Sequence, residues 1–486
     1  MKEIRFVDTT LRDGHQSLWA EAMTTGMMLP AAERLDNAGF LAMELISGSH
    51  VKKSVRELGE SPWERIRLMR QRITRTPLRT IAGKVNTFGY DPPGLYRLFL
   101  KSMADCGIRQ ARILDAWNDP EGWERRVTIA RGVGLDVILD VTYSVSDKHT
   151  DEYYAERTRA AAALPVMRLC LKDPGGLLTP ERVRTLVPTM MANSNGIPIE
   201  LHSHCTTGLG PLNALEAIRL GIDIVNTAIP PLADSSSLPS VFNVARNARA
   251  LGYAPTVDED LIRPVSEHFM YVAKREGLPI GVPAEYDYAQ YLHQVPGGMI
   301  SNLGHQLRLV GLADRLPETL EESVRVRAEF GYPIMVTPLS QFVGTQAALN
   351  IISGERYKLI SDQTIEYALG RHGKEACAVM DPDIRDRVLG TPRAKELARW
   401  VAPDPSLDDL RRIHGGPGVP DEEVLLRILL RRDEISAMRA TPPTEYVSAH
   451  QPLVALVDAL SRRTDCSRVQ VRKSGFSLVM EKRAAS

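Results

Sequence analysis

The 486-residue chain has few cysteines, no net charge and no apolar run long enough to span a bilayer. Its five cysteines are odd in number and lack CxxC spacing, which predicts reduced thiols rather than a disulfide framework. Sixty basic residues balance sixty acidic ones, so the charge gives no indication of a nucleic-acid or membrane-surface partner. No signal peptide precedes the first strand-like segment, and the sequence therefore predicts a globular protein of the cytoplasm.

Eight short apolar runs alternate with segments of helical composition in the first half of the chain. Several runs are too apolar for a period of two, as is typical of strands buried on both faces of a parallel sheet. The alternation predicts a (β/α)8 TIM barrel. A doubly wound open sheet is the alternative, but no GxGxxG follows the first run. The runs comprise residues 4–10, 41–47, 79–85, 111–115, 137–145, 166–171, 197–201 and 224–229.

The strand rhythm stops after about residue 240, and helical composition dominates the rest. We predict a barrel over residues 1–300, a helical extension over 301–435 and a small C-terminal segment over 436–486. Residues 401–419 are rich in Pro and Gly and predict a connector. Residues 421–432 predict a helix, and two alternating runs surround residues 469–479.

Four polar residues lie at the ends of predicted strands, where TIM barrels build their active sites. Asp13 follows the first run, Lys172 ends the sixth, and His202 and His204 close the seventh. A His-x-His pair on a strand places both imidazoles on one face, roughly 7 Å apart along the chain. A carboxylate and two imidazoles suit a divalent cation, with zinc and manganese both compatible.

Simpler roles remain open for each of these residues. The histidines could belong to the core or the surface, Asp13 could cap a helix, and Lys172 could pair with Asp173. A free lysine is a poor neighbour for a metal, because its ammonium repels the cation. A lysine carboxylated on its amine would instead supply an anionic oxygen ligand.

Several motifs of the chain resemble those of one protein family. Residues 8–18 are similar to the first strand and loop of biotin-dependent carboxyltransferases. These include the carboxyltransferase domain of pyruvate carboxylase, the α subunit of oxaloacetate decarboxylase and the pyruvate-binding subunit of transcarboxylase. The likeness covers roughly residues 3–430 and continues at residues 61–65, 169–173, 202–208, 295–299, 337–346 and 354–358.

The resemblance implies a metal held by Asp13, carboxylated Lys172, His202 and His204. Carboxybiotin would arrive on a separate carrier protein, and the enolate of a 2-oxo acid or related carbonyl compound would take its carboxyl group, or the reverse. A biotin carboxylase subunit is the expected further partner, and a homodimer the expected assembly. No Ala-Met-Lys-Met-type biotinylation site occurs, which is why we expect the carrier to be separate.

The resemblance also implies roles for individual side chains. Ser236 takes the place of a threonine whose hydroxyl relays a proton between biotin and substrate. Arg12 and Lys172 are expected to be catalytic, while Gln16 and Tyr90 would contact substrate or biotin. A surface amide and a core aromatic are the simpler interpretations of the last two.

Two positions depart from the family's pattern. Members that handle pyruvate have Arg-Gly-Ala-Asn in the third strand, with the arginine on the substrate carboxylate, and Gly83 stands in that arginine's place. Lys52 replaces an aspartate that usually follows the second strand. We expect a relocated cation and a roomier pocket, and hence a substrate that need not be pyruvate. The alternative is a shifted alignment that leaves Arg79 in the arginine's role.

Two other functions remain possible. Aldolase- and Claisen-type lyases and synthases share Arg-Asp-Gly and His-x-His on the same barrel, but they do not use a carboxylated lysine. A catalytically silent subunit of a carboxylase complex is the third possibility. The sequence leaves the substrate, the direction of the reaction and the metal open.

Overall fold

The computed structural model describes most of the chain, and its first part is a closed parallel barrel. The described residues are 1–86, 90–295, 300, 303–304, 307–309, 311–416, 418–442, 446–447, 460, 468–473 and 476–481. The eight strands run in sequence order around the barrel, and the first strand pairs in parallel with both the second and the eighth. The predicted TIM barrel is therefore confirmed.

The strands fall where the apolar runs predict them, to within a few residues at each end. Seven of the eight are buried at nearly every position, because helices cover the outside of the barrel and side chains fill its interior. The strands are β1 (Glu3–Asp8), β2 (Ala42–Ser47), β3 (Leu78–Ala82), β4 (Gln110–Ile113), β5 (Asp136–Thr142), β6 (Arg168–Asp173), β7 (Ile199–Ser203) and β8 (Ile224–Thr227).

The helices around the barrel begin at side-chain caps and prolines. The Thr179 hydroxyl accepts a hydrogen bond from the Arg182 backbone N–H at 3.2 Å, and Pro180 occupies the first turn. The helices are α1 (His15–Trp19), α2 (Thr25–Asn37), α3 (Gly48–Arg56), α4 (Pro62–Arg72), α5 (Pro93–Cys106), α6 (Pro120–Gly132), α7 (Asp151–Ala162), α8 (Pro180–Asn193), α9 (Gly210–Arg219), α10 (Val241–Ala250) and α11 (Glu259–Glu276).

The extension that follows is mostly helical, as predicted. Residues between 295 and 397 surround a core of their own, whereas the helices from residue 407 onward pack their apolar side chains into the core of the barrel. Among the described residues, the helices after α11 are Ala289–His293, Leu316–Glu329, Leu339–Ser353, Asp362–Ala368, Lys374–Ala378, Pro382–Leu389, Pro392–Ala398, Leu407–His414, Asp421–Leu429 and Arg432–Ala440.

Two local predictions in this region were right only in part. The predicted connector over residues 401–419 contains the helix Leu407–His414, which the Ser406 hydroxyl caps. The helix predicted over 421–432 ends at Leu429, because Leu430 and Arg431 adopt extended backbone before a second helix begins. The alternating runs form an antiparallel hairpin of Arg468–Lys473 with Phe476–Glu481. The motif residues 296–299 lie outside the described residues.

Within the described residues, no helix is both long and apolar enough to cross a membrane.

Candidate metal-centred active site

The four predicted site residues meet at the C-terminal end of the barrel. Asp13 lies in a wide, π-helical turn that follows β1, and Lys172 lies near the end of β6. Lys172 and His202 are partners in the β6–β7 register, so they lie side by side across the two strands. His204 follows the last residue of β7. All four side chains are buried.

The donor atoms of three of these residues converge on one point. The Nε2 atoms of His202 and His204 are 3.2 Å apart, and they lie 3.4 Å and 3.6 Å from the carboxylate oxygens of Asp13. Ligand atoms about 2.1 Å from a tetrahedral ion are about 3.4 Å from one another. The spacing and the mixture of nitrogen and oxygen donors therefore fit a divalent cation. Among the described residues, this is the one such group of three His, Cys, Asp or Glu residues.

Hydrogen bonds to the other ring nitrogens orient both histidines for ligation. His204 Nδ1 lies 2.7 Å from the backbone oxygen of Ser236, and His202 Nδ1 lies 3.1 Å from Asn226 Oδ1. A backbone oxygen only accepts, so His204 Nδ1 carries the proton and the Nε2 lone pair of His204 faces Asp13. His202 Nδ1 lies between an acceptor, Asn226 Oδ1, and a donor, Arg112 Nη1, which is 3.0 Å away. Arg112 Nη1 also donates to the Asn226 oxygen at 3.0 Å.

Asp13 is held in its anionic form. Burial alone would raise the pKa of its carboxyl group, but the guanidinium of Arg12 and the imidazoles of His204 and His202 outweigh burial, and the pKa falls well below its ordinary value. Arg12 Nη2 lies 2.6 Å from the carboxylate. The Ser17 hydroxyl donates to it at 2.9 Å, and the helix that follows is capped without an Asp13 side-chain bond. The helix-cap alternative for Asp13 is therefore wrong.

Lys172 does not pair with its neighbour in sequence. The Asp173 carboxylate instead accepts hydrogen bonds from the backbone of Leu177 and Leu178, while the Lys172 ammonium lies 3.8 Å from Asp140. Burial, reinforced by the nearby guanidinium of Arg112, lowers the pKa of Lys172. The neutral amine is therefore easier to reach than on a surface lysine.

A network of ion pairs fills the barrel beneath these residues, and the sequence did not predict it. Glu44 on β2 accepts from Arg112 at 2.6 Å and from Arg12 at 2.5 Å. Deeper in the barrel, Arg79 donates to both oxygens of Glu200 at 2.9 Å and is fully buried. This placement commits Arg79 to the barrel interior, which removes the support for assigning it the role of the missing arginine.

Two other predicted residues lie close to the metal ligands. Ser236 contributes its backbone oxygen to His204, and its own hydroxyl donates to the backbone oxygen of Ser17 at 3.0 Å. Gln16 accepts a hydrogen bond from Arg12 at 3.1 Å through its side-chain oxygen. Both side chains are thus tied to residues that touch the ligand set.

The remaining three lie around the end of β3. Lys52 donates to the side-chain oxygen of Asn86 at 3.2 Å, and burial lowers its pKa. Tyr90 is 41% exposed and packs edge-on against Trp400, with ring centroids 5.6 Å apart. A side chain at Gly83 would meet little, since the nearest atom to its ideal Cβ is 3.9 Å away. Glycine in place of the family's arginine therefore leaves room for a Cβ at ordinary contact distance.

Comparison with known proteins identifies the family of this chain. Residues 291–430 match the model of the conserved carboxylase domain, and residues 122–268 match the HMGL-like model. A pyruvate carboxylase subunit of Methanocaldococcus jannaschii is 38% identical over 389 residues, which span 79% of this chain and 68% of that protein. The chain belongs to the family of biotin-dependent carboxyltransferases. The family predicted from the motifs is thus confirmed, as is a biotin-dependent carboxyltransferase enzyme.

Two further relatives of this carboxyltransferase were found. The 2-oxoglutarate carboxylase large subunit of Hydrogenobacter thermophilus is 31% identical over 442 residues, covering 88% of this chain and 67% of that protein. Among solved structures, the carboxyl transferase domain of Rhizobium etli pyruvate carboxylase with pyruvate has a TM-score of 0.81 at 22% identity. The match covers 100% of this chain and 84% of that one, and it shows the shared fold.

Proposed function

We propose that this carboxyltransferase moves a carboxyl group between carboxybiotin, delivered by a separate carrier protein, and the enolate of a 2-oxo acid. Asp13, His202, His204 and a carboxylated Lys172 would hold a zinc or manganese ion. The observation that carries the proposal is the convergence of Asp13 with two histidines whose Nε2 atoms lie 3.4 Å and 3.6 Å from its carboxylate oxygens. When bound, the ion would supply Lewis-acid stabilisation of the substrate's carbonyl oxygen.

The surroundings of Lys172 support its carboxylation. Carbamate formation requires a neutral amine, and burial favours the neutral form of this lysine. The product is an anion, which needs a cationic neighbour in a buried site. Arg112 supplies one, because its Nη2 is buried without a hydrogen-bond partner among the described residues.

The other predicted residues have separate tasks in this proposal. Arg12 keeps Asp13 ionised and holds the Gln16 side chain beside it, so that Gln16 is oriented toward substrate or biotin. Ser236 is assigned the proton relay between biotin and substrate. Its hydroxyl is placed by the same turn that orients His204. Tyr90, on the loop after β3, is assigned to substrate or biotin contact.

The substrate that we propose is a 2-oxo acid that need not be pyruvate. The relatives that match include a pyruvate carboxylase subunit and a 2-oxoglutarate carboxylase subunit, so 2-oxo acids of different length are used by similar proteins. Gly83 carries no side chain at the end of β3 and has room for one, and the Lys52 ammonium donates to the side-chain oxygen of Asn86, three residues further along the chain. Both features favour a larger acid.

We propose a separate biotin carboxyl carrier and a biotin carboxylase subunit as partners, and a homodimer as the assembly. Matches to proteins named as subunits support the first two. The proposed units remain a barrel over residues 1–300, an extension over 301–435 and a terminal segment over 436–486.

The direct test is a screen of 2-oxo acids for carboxyl exchange with free biotin and with carboxybiotin. We expect exchange that requires biotin and disappears in Lys172→Gln. A second outcome has support in the HMGL-like match of residues 122–268, namely cleavage of an acyl compound without biotin. Cleavage of that kind, with no biotin-dependent exchange for any acid, would overturn the proposal.

A further inference from the structure

A cationic pocket lies beside the end of β3 and shares no lining residue with the metal-ligand group. It opens between the loop after β3, helices α5 and α6, and the extension, and its volume is about 70 Å³. That admits a small group such as a carboxylate and is too small for a whole cofactor. Its charged lining comprises the cations Lys84, Arg125, Arg126 and Arg371, and the carboxylate of Asp91.

The positive charge of this pocket is only partly neutralised. Two of the cations already have carboxylate partners, in the pairs Arg126–Asp115 at 2.9 Å and Arg371–Glu366 at 2.8 Å. The other two, Lys84 and Arg125, form no ion pair within 4.0 Å in the part of the chain that the structure describes. A surplus of positive charge therefore faces the pocket.

Lys84 is partly buried and has no carboxylate partner, among the described residues, to compensate for the lost hydration. Its ammonium donates to the neutral ring nitrogen Nδ1 of His372 at 3.3 Å. The Asp91 carboxylate, by contrast, accepts from the backbone N–H groups of Val85 at 2.6 Å and Asn86 at 2.9 Å. A partly buried ammonium without a counter-ion loses hydration that only an anion would replace.

We propose that this pocket binds the carboxylate group of a small organic acid and that Lys84 decides the binding. Two sources supply such a group. One is the far carboxylate of a dicarboxylic 2-oxo acid substrate, an assignment that rests on the proposed function. The other is a separate acid that binds at the junction of barrel and extension, where Lys84 from one part meets His372 and Arg371 from the other.

The binding test uses the full chain with its metal removed by a chelator, so that the metal site does not contribute. Calorimetric titration with 2-oxoglutarate would compare the unaltered protein with Lys84→Gln and with a matched control, Arg97→Gln. Arg97 is an exposed cation of α5 outside the pocket lining. We expect Lys84→Gln to weaken binding roughly tenfold or more, as for a lost charged hydrogen bond, and Arg97→Gln to leave it unchanged.

Arg125→Gln provides a second variant, because Arg125 is exposed and can be replaced without disturbing the fold. We expect this variant to bind 2-oxoglutarate several-fold more weakly. Failure of the unaltered protein to bind 2-oxoglutarate, or equal binding by Lys84→Gln, would overturn the proposal.

Carboxyl-exchange kinetics then distinguish the two sources of the carboxylate. If Lys84→Gln raises the KM and leaves kcat unchanged, the carboxylate in the pocket belongs to the substrate. If the KM is unchanged while binding of 2-oxoglutarate is lost, the carboxylate belongs to a separate acid. Because binding is measured without biotin or carrier, failure of the proposed function would not abolish it.

Discussion

Replacing Glu44 by glutamine is expected to destabilise the barrel by several kcal/mol, although Glu44 is not assigned to the chemistry. Its carboxylate accepts from Arg112 at 2.6 Å and from Arg12 at 2.5 Å in a fully buried position. Burial alone would raise the pKa of Glu44, but the guanidinium groups of Arg112 and Arg12 hold it at about 2, against an ordinary value of 4.5. That difference corresponds to about 3 kcal/mol at neutral pH.

The direction of the pH dependence follows from the lowered pKa. Glu44 stabilises the fold fully above pH 4.5, and this contribution is lost as the pH falls through about 2. Glutamine keeps the shape but removes one carboxylate from two buried guanidinium groups, which retain Asp13 and Asp140 as carboxylate partners. Breaking a buried ion pair costs about 3–5 kcal/mol in comparable cases.

Urea unfolding at pH 7 measures the effect. The matched control is Glu121→Gln, which removes a 79% exposed carboxylate that lies 3.8 Å from Lys374. We expect that control to change the free energy of unfolding by less than about 0.5 kcal/mol. If Glu44→Gln lowers the free energy of unfolding by less than about 1 kcal/mol, the buried network does not depend on its central carboxylate, contrary to this prediction.

Three further predictions concern other polar residues. Asn226→Leu removes the oxygen that lies 3.1 Å from His202 Nδ1, so metal affinity measured by titration should fall about 10–100-fold; unchanged affinity would show that Asn226 does not orient His202. Burial raises the pKa of Asp8 to about 7, so its ionisation costs stability as the pH rises from 3.8 through 7. Asp8→Asn should therefore stabilise the protein by about 2–4 kcal/mol at pH 8 and scarcely at all near pH 4, as judged by urea unfolding, and an equal effect at both pH values would exclude this cause. If Lys52 is the relocated cation that takes the place of the family's arginine, Lys52→Ala should raise the KM for the 2-oxo acid. Unaltered kinetics would contradict that role.

The sequence predicts the barrel and the ligand set because both depend on local patterns. Apolar runs mark strands buried on both faces, and a polar residue directly after such a run lies at the C-terminal end of the barrel by topology alone. Asp13, Lys172, His202 and His204 could therefore be placed together before any distance was known.

The supporting residues could not be found in this way. Glu44, Arg112 and Asn226 lie inside strands, where a polar residue among apolar ones usually indicates a surface face. Their partners lie far along the chain, since Arg112 meets a carboxylate 68 residues before it and an amide 114 residues after it. The one signal in the sequence was charge within strands that are otherwise buried on both faces, which requires ion pairs in the interior.

The helical extension was harder to predict for a different reason. The Pro- and Gly-rich composition of residues 401–419 indicates a connector, but tertiary packing decides otherwise. Leu410 is buried against the barrel core, and this contact stabilises a short helix that composition alone does not favour.

We propose that Lys172 serves a metal-dependent transfer of a carboxyl group to or from biotin. The most direct measurement is the rate at which carboxylated 2-oxo acids lose their carboxyl group with and without free biotin, in the unaltered protein and in Lys172→Gln, with the metal content of both determined. We expect decarboxylation that depends on biotin in the unaltered protein and is abolished in Lys172→Gln. Equal rates with and without biotin, or a Lys172→Gln variant as active as the unaltered protein, would contradict it.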